Sequence, residues 1–171
     1  MGDRYCLDFL SLFSVGEGLL VGSSADAMFL VHSETVPSTF VPTRPFRVNA
    51  GSPHAYVMMA DGNTRYMAEL TAGDELLAVD QEGNGRSVVL GRLKIEQRPM
   101  LKIVGKKHTK THQNANTCHV FMQQAETVRL ITGDSTAVSV TALEKGQPVL
   151  GWEGHAARHV GRPVKGGVEE R

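Results

Sequence analysis

Short apolar runs broken by glycine and proline dominate the chain, and long amphipathic helices are hard to place. Leu19-Leu20-Val21 and Ala27-Met28-Phe29-Leu30-Val31 are continuous apolar segments of strand length, suited to burial. Phe46 to Asn49 and Ala55 to Met59 predict two more strands around the turn Ala50-Gly51-Ser52-Pro53. Asp61-Gly62-Asn63 predicts a tight turn, because Asp-Gly readily supplies the positive φ that a hairpin needs. Ser87 to Glu96 ends in an alternation of apolar and charged residues, the mark of a half-buried strand. Thr127 to Ile131 and Val138 to Val140 read the same way.

Leu70-Thr71-Ala72-Gly73-Asp74-Glu75-Leu76-Leu77 and Leu143-Glu144-Lys145-Gly146-Gln147-Pro148-Val149-Leu150 share the form Leu-x-x-Gly-x-x-apolar-Leu. In each, a glycine turn delivers a strand, which points to an internal duplication. The pattern predicts a mainly β fold: a compact antiparallel β-barrel-like domain of short strands and Gly/Pro turns with little helix. A single domain is expected over residues 1–171, with sub-lobes over about 1–60 and 61–160.

Composition narrows the function. A chain of 171 residues buries roughly 70% of its unfolded surface and needs no disulfide staple. Eighteen Lys and Arg balance eighteen Asp and Glu, which excludes a general polyanion binder and argues against a nucleic-acid partner. Two cysteines, Cys6 and Cys118, fit a reducing compartment, cytoplasm or plastid stroma. No run approaches the roughly 18 apolar residues of a membrane helix, so no spanning segment is expected; peripheral docking to a membrane complex stays open. The acid-free stretch from Gly105 to Thr117 predicts a solvated loop, and the glycine-rich tail after Trp152 has little of its own to pack, a partner surface being one candidate for what it rests on.

Reactive residue types concentrate in His32-Ser33-Glu34-Thr35, Arg44, Arg47, Asn49 and His54. A strand period of two places His32 and Glu34 on one face, and the planar forks of Arg44 and Arg47 suit carboxylates. The plainer alternative is that these groups satisfy one another. Gly16-Glu17-Gly18 and Gly22-Ser23 lack the spacing of a dinucleotide loop, so they read either as β-turn chemistry or as backbone N–H groups touching an anion. His108, His112, Cys118 and His119 are of zinc-ligand type, yet their spacing matches no regular finger, and no metal is expected. Arg158-His159 reads either as a second ligand-facing pair or as surface. Neither a Cys-x-x-Cys motif nor a Gly-x-Ser-x-Gly elbow is present, so nucleophilic hydrolysis has no support.

Several longer strings together resemble the C-terminal part of the archaeal-type (type II) 3-dehydroquinate synthases. They are Gly2-Asp3-Arg4 with Cys6-Leu7-Asp8, Gly16 to Ser23, Phe29 to Thr35, Thr43 to Gly51, Pro53 to Tyr56, Gly91 to Pro99, Gln124 to Leu130 and Ala157 to Gly161. The resemblance spans nearly the whole chain. It implies NAD-dependent oxidative deamination of an amino-sugar acid and its cyclisation to 3-dehydroquinate, in aromatic amino-acid biosynthesis by the shikimate pathway.

Within that family, residue chemistry makes His32, Glu34 and His54 the candidates for proton transfer or hydroxyl recognition. Arg44, Arg47, Asn49, Arg158 and His159 are the candidates for substrate binding, and Gly16, Gly18, Gly22 and Ser23 those for cofactor contact. The family is about twice as long and carries an N-terminal α/β part, which these residues lack. Two readings follow. Either the domain works with a separate N-terminal catalytic part and is inactive alone, or it is a non-catalytic accessory subunit of a larger protein assembly, in a plastid for example.

Overall fold

The computed structural model describes residues 1–39, 41–108 and 117–154, and the backbone of the strands at 157–159 and 162–164. The strands are β1 (Gly2–Phe9), β2 (Gly18–Ser24), β3 (Ala27–His32), β4 (Arg47–Gly51), β5 (Tyr56–Met58), β6 (Thr64–Tyr66), β7 (Glu75–Val79) and β8 (Gly85–Arg98). They continue as β9 (Met100–Lys106), β10 (Thr117–Gln123), β11 (Arg129–Ile131), β12 (Ala137–Ser139), β13 (Gly151–Glu153), β14 (Ala157–His159) and β15 (Arg162–Val164). Among the described residues the helical element is the short 3-10 turn Met67–Glu69. The fold is therefore mainly β, a curled antiparallel half-barrel.

One sheet runs β12-β11-β3-β2-β7-β8-β1-β4, with β13 on β3 and the β5–β6 hairpin on β2. It passes through both sub-lobe ranges, since β1 pairs with β4 on one side and β8 on the other. β2 and β3 sit at its centre. Val21, Phe29 and Val31 face the main core, while Leu20, Met28 and Leu30 pack with Met58 and Ile131 in a second cluster. Burial on both faces is why these segments are apolar without alternation.

The duplication is visible in the hydrogen bonds. Met59 bridges to Leu76 as Thr132 bridges to Val149, at one constant sequence offset. At the same offset, Met59 N–H donates to Asn63 and Thr132 N–H to Thr136, both at 2.8 Å. Likewise Met67 N–H reaches Ala55 O and Val140 N–H reaches Val128 O. The glycine turns agree, with Gly73 at φ +97° and Gly146 at φ +89°, a conformation glycine adopts at no steric cost. The two copies attach to neighbouring strands: β5 and β7 pair with β2, β11 and β13 with β3.

Strands also lie where none was expected, β1, β6, β9, β10, β14 and β15 among them. β9 and β10 form a separate hairpin whose Val120 and Met122 close the main core. The polar stretch after Gly105 begins within this hairpin; residues 109–116, His112 among them, lie outside the described residues. So does most of the tail beyond Gly154.

Candidate functional site

Strand alternation builds the site on β8, β1 and β4. Tyr5, Leu7 and Phe9 of β1 point to the core, so Arg4, Cys6 and Asp8 point to the opposite face. Antiparallel register then sets Glu96, Lys94 and Arg92 of β8 opposite Arg4, Cys6 and Asp8. On the other side it sets Asn49 opposite Cys6 and Arg47 opposite Asp8. Directly opposed side chains share a face, so the sheet presents a continuous charged surface here.

Ion pairs order that surface. Arg47 Nε and Nη2 donate to the two oxygens of Asp8 at 2.6 and 2.9 Å, and Arg92 Nε reaches Asp8 Oδ2 at 2.9 Å. Burial raises the Asp8 pKa, but the hydrogen bonds and charges of the two arginines outweigh it and hold the carboxyl below its ordinary 3.8. Arg4 pairs with Glu96, which Lys94 and Arg98 also approach, at 3.5 and 3.3 Å. Arg4 Nη1 donates to the Cys6 sulfur at 2.8 Å. Burial pushes the Cys6 thiol up to about 11, so it stays protonated and neutral.

A cavity of about 380 Å³ opens over this face. Its walls carry Arg4, Arg44, Arg47, Lys94 and Arg98 against Glu34, Glu96 and Glu126, five cations to three carboxylates. Asn49, Gln123 and the segment 125–127 complete one side, and Ser38 and Val41 the other. Glu34 enters from just beyond the end of β3. It is bridged backbone to backbone with Arg44 and accepts from Arg44 Nη1 at 3.0 Å. A neutral chain thus concentrates positive charge in one concave, partly buried place, which favours a small anion.

The structure brings Glu34, Arg44, Arg47 and Asn49 to this cavity and places His32 and His54 elsewhere. His32 is buried with both ring nitrogens engaged by backbone. Gly16 N–H donates to Nε2 at 2.9 Å, so the ring proton sits on Nδ1 and donates to Ser33 O at 2.6 Å. Burial lowers the His32 pKa, as does the nearby Arg129 cation, against the raising effect of the Ser33 hydrogen bond; the ring is neutral. His54 is exposed, with Ser23 Oγ at 3.1 Å and Ser52 Oγ at 3.2 Å from its two nitrogens. It stacks edge-on against Phe121 rather than lining the cavity. Arg158 and His159 belong to β14, and their side chains lie outside the described residues.

The glycine segment serves β-packing. A Cβ on Gly18 would lie 1.9 Å from Val31 O, and one on Gly22 2.5 Å from Ala27 O. Both glycines let β2 approach β3, and the Gly16 N–H is taken by His32. Gly18 and Gly22 are thus taken up by the contact between β2 and β3, and Gly16 N–H by the His32 ring, which leaves these three a poor fit to a dinucleotide phosphate.

Arg4, Lys94, Glu96, Arg98 and Gln123 are cavity residues that sequence reasoning left aside. Their signal was present as alternation in 4–8 and 92–98, but the pairing of β1 with β8 was needed to join them. A second cavity of about 390 Å³, between Phe29, Cys118 and Trp152, is more apolar. No group of three or more His, Cys, Asp or Glu suited to a metal occurs among the described residues. No helix among them is long and apolar enough to cross a membrane.

Fold and site together define an all-β domain that presents a cation-rich cavity. Residues 1–171 match the model of the 3-dehydroquinate synthase II C-terminal domain. A 3-dehydroquinate synthase homolog of Persephonella marina is 46% identical over 171 residues, covering 100% of this chain and 50% of the relative. The 3-dehydroquinate synthase of Methanosphaera stadtmanae is 44% identical, with 100% and 46% covered. That of Methanocaldococcus jannaschii is 44% identical over 170 residues, with 99% and 45% covered. The chain belongs to the 3-dehydroquinate synthase II family, as its C-terminal domain. It spans about half the length of the curated relatives it matches. No solved structure matches it.

Proposed function

We propose that this domain supplies the anion-binding wall of a 3-dehydroquinate synthase site, completed by a separate N-terminal part of the enzyme. The observation that carries the reading is the excess of cations around the cavity, with one carboxylate, Glu96, shared among Arg4, Lys94 and Arg98. In this role Arg44 holds the carboxylate of the amino-sugar acid, while Arg47, tied to Asp8, contributes charge and shape. Of the three residues considered for proton transfer, Glu34 lines the cavity and is the one positioned to take or give a proton there. The overall reaction is oxidative deamination and ring closure to 3-dehydroquinate. NAD, the oxidant that the family implies, is assigned to the N-terminal part, because the glycines of this domain are filled by β3 and His32. Both cysteines are free, which supports a reducing compartment.

Calorimetry with the full polypeptide and the amino-sugar acid tests the reading. Arg44→Ala is expected to weaken binding about tenfold, the size of a charge-assisted hydrogen bond lost without collapse of the fold. Equal affinity of the wild type and Arg44→Ala would overturn it.

One observation favours a second reading, an accessory subunit of a larger assembly. Leu10, Leu12 and Val15, close in sequence between β1 and β2, are 76%, 67% and 71% exposed. Clustered apolar exposure of this kind marks a protein contact. A mass of the native particle far above that of the polypeptide, without turnover, distinguishes the accessory role.

A further inference from the structure

Two buried polar atoms on the cavity residues have no hydrogen-bond partner among the described residues: Arg4 Nε and Asn49 Oδ1. Their side chains are otherwise fixed. Arg4 directs Nη1 to Cys6 and Nη2 to Glu96, and Asn49 Nδ2 donates to Gln123 Oε1 at 2.7 Å. Arg4 is 7% exposed and Asn49 2%. Holding a buried donor or acceptor unpaired is costly, so such atoms on residues that line a polar cavity point to a missing partner.

The two lie on one face, since Asn49 is opposite Cys6 and Arg4 precedes Cys6 by one strand period. They are diagonal neighbours across the register shift between Tyr5 and Cys6, and Cys6, which accepts from Arg4 Nη1, is opposite Asn49. One atom donates beside an excess of positive charge, and the other accepts.

We propose that Arg4 and Asn49 form a two-point reader of a hydroxy acid: Arg4 Nε–H donates to an anionic oxygen, and Asn49 Oδ1 accepts from a hydroxyl on the same molecule. The proposal rests on the cavity's being the anion site described above and adds to it a demand for a hydroxyl. A hydroxyl suits the position in either sense of the Asn49–Gln123 amide pair, because it both donates and accepts. A volume of about 380 Å³ is at the small end for ligand pockets, which fits a sugar acid better than a dinucleotide.

The test is titration calorimetry on the full polypeptide with three six-carbon compounds: gluconate, hexanoate, which lacks the hydroxyls, and sorbitol, which lacks the carboxylate. Wild-type protein is expected to bind gluconate about tenfold more tightly than either of the others, one hydrogen bond's worth in each case. Asn49→Ala should erase the advantage over hexanoate, and Arg4→Lys, which keeps the charge but removes Nε, should weaken both acids. The wild-type ranking requires no variant to fold. Equal binding of gluconate and hexanoate, or gluconate affinity unchanged in Asn49→Ala, overturns the reader. If both acids bind equally and Arg44→Ala weakens both, the anion cavity survives without the reader. If neither acid binds, both readings fall.

Discussion

Arg47 commits two nitrogens to Asp8 across β1 and β4, at 2.6 and 2.9 Å, and both side chains are nearly buried, 10% and 8% exposed. The pair anchors the floor of the cavity. Removing one member leaves the other charged in a poorly solvated place, which costs far more than the intact pair returns. Asp8→Ala is expected to lower stability by about 3–5 kcal/mol, measured by urea denaturation.

The same carboxyl shapes the acid limb of stability. Its folded pKa is depressed below 3.8, so its contribution is complete above pH 3.8 and disappears as the pH falls through the folded value. Stability measured against pH should therefore decline less steeply below pH 3.8 in Asp8→Asn than in the wild type. Parallel acid limbs would show that Asp8 is not coupled to folding.

His32 should stay neutral at the pH where an ordinary imidazole titrates. Its folded pKa lies below the ordinary 6.5, so the unfolded chain takes up the proton first, and this residue removes stability as the pH falls below 6.5. Nitrogen NMR of the ring is expected to show the Nδ1–H tautomer persisting below pH 6.5. An imidazolium signal near that pH in folded protein would contradict the assigned hydrogen bonds.

Two glycines make contrasting predictions. A Cβ on Gly18 would meet Val31 O at 1.9 Å, so Gly18→Ala must separate β2 from β3, with a loss of about 3 kcal/mol or more. Gly62, at φ +80° with open space around it, meets only backbone strain, and Gly62→Ala should cost about 1 kcal/mol. Thermal unfolding of the two variants compares them directly.

Cys6 is fully buried and its thiol pKa is raised to about 11, so it lacks both access and thiolate character. A thiol reagent at pH 8 is expected to modify Cys6 only at the rate of global unfolding. Modification in native conditions without loss of structure would show that the cavity floor opens.

Much of the strand content was legible because burial on both faces leaves continuous apolar runs, as in 27–31, and because Asp61-Gly62 and the paired Leu-x-x-Gly words mark turns. β1 escaped notice since its alternation mixes Arg4, Cys6 and Asp8 with Tyr5, Leu7 and Phe9, a pattern that reads as polar until one face is known to be covered. The cluster containing Glu34, Arg44, Arg47 and Asn49 was apparent from residue chemistry. His32 was grouped with it by period alone, and no local pattern could show that Gly16 would cap its ring.

The sequence by itself determined the β class, the repeat, the family words and the charge balance, because each depends on neighbours along the chain. Only the tertiary structure decided which charges meet. Pairing β1 between β4 and β8 brings positions 4, 49 and 96 together, and burial then turns a neutral composition into a local excess of cations. That arrangement depends on strand order and register, set by packing of the opposite face against the core.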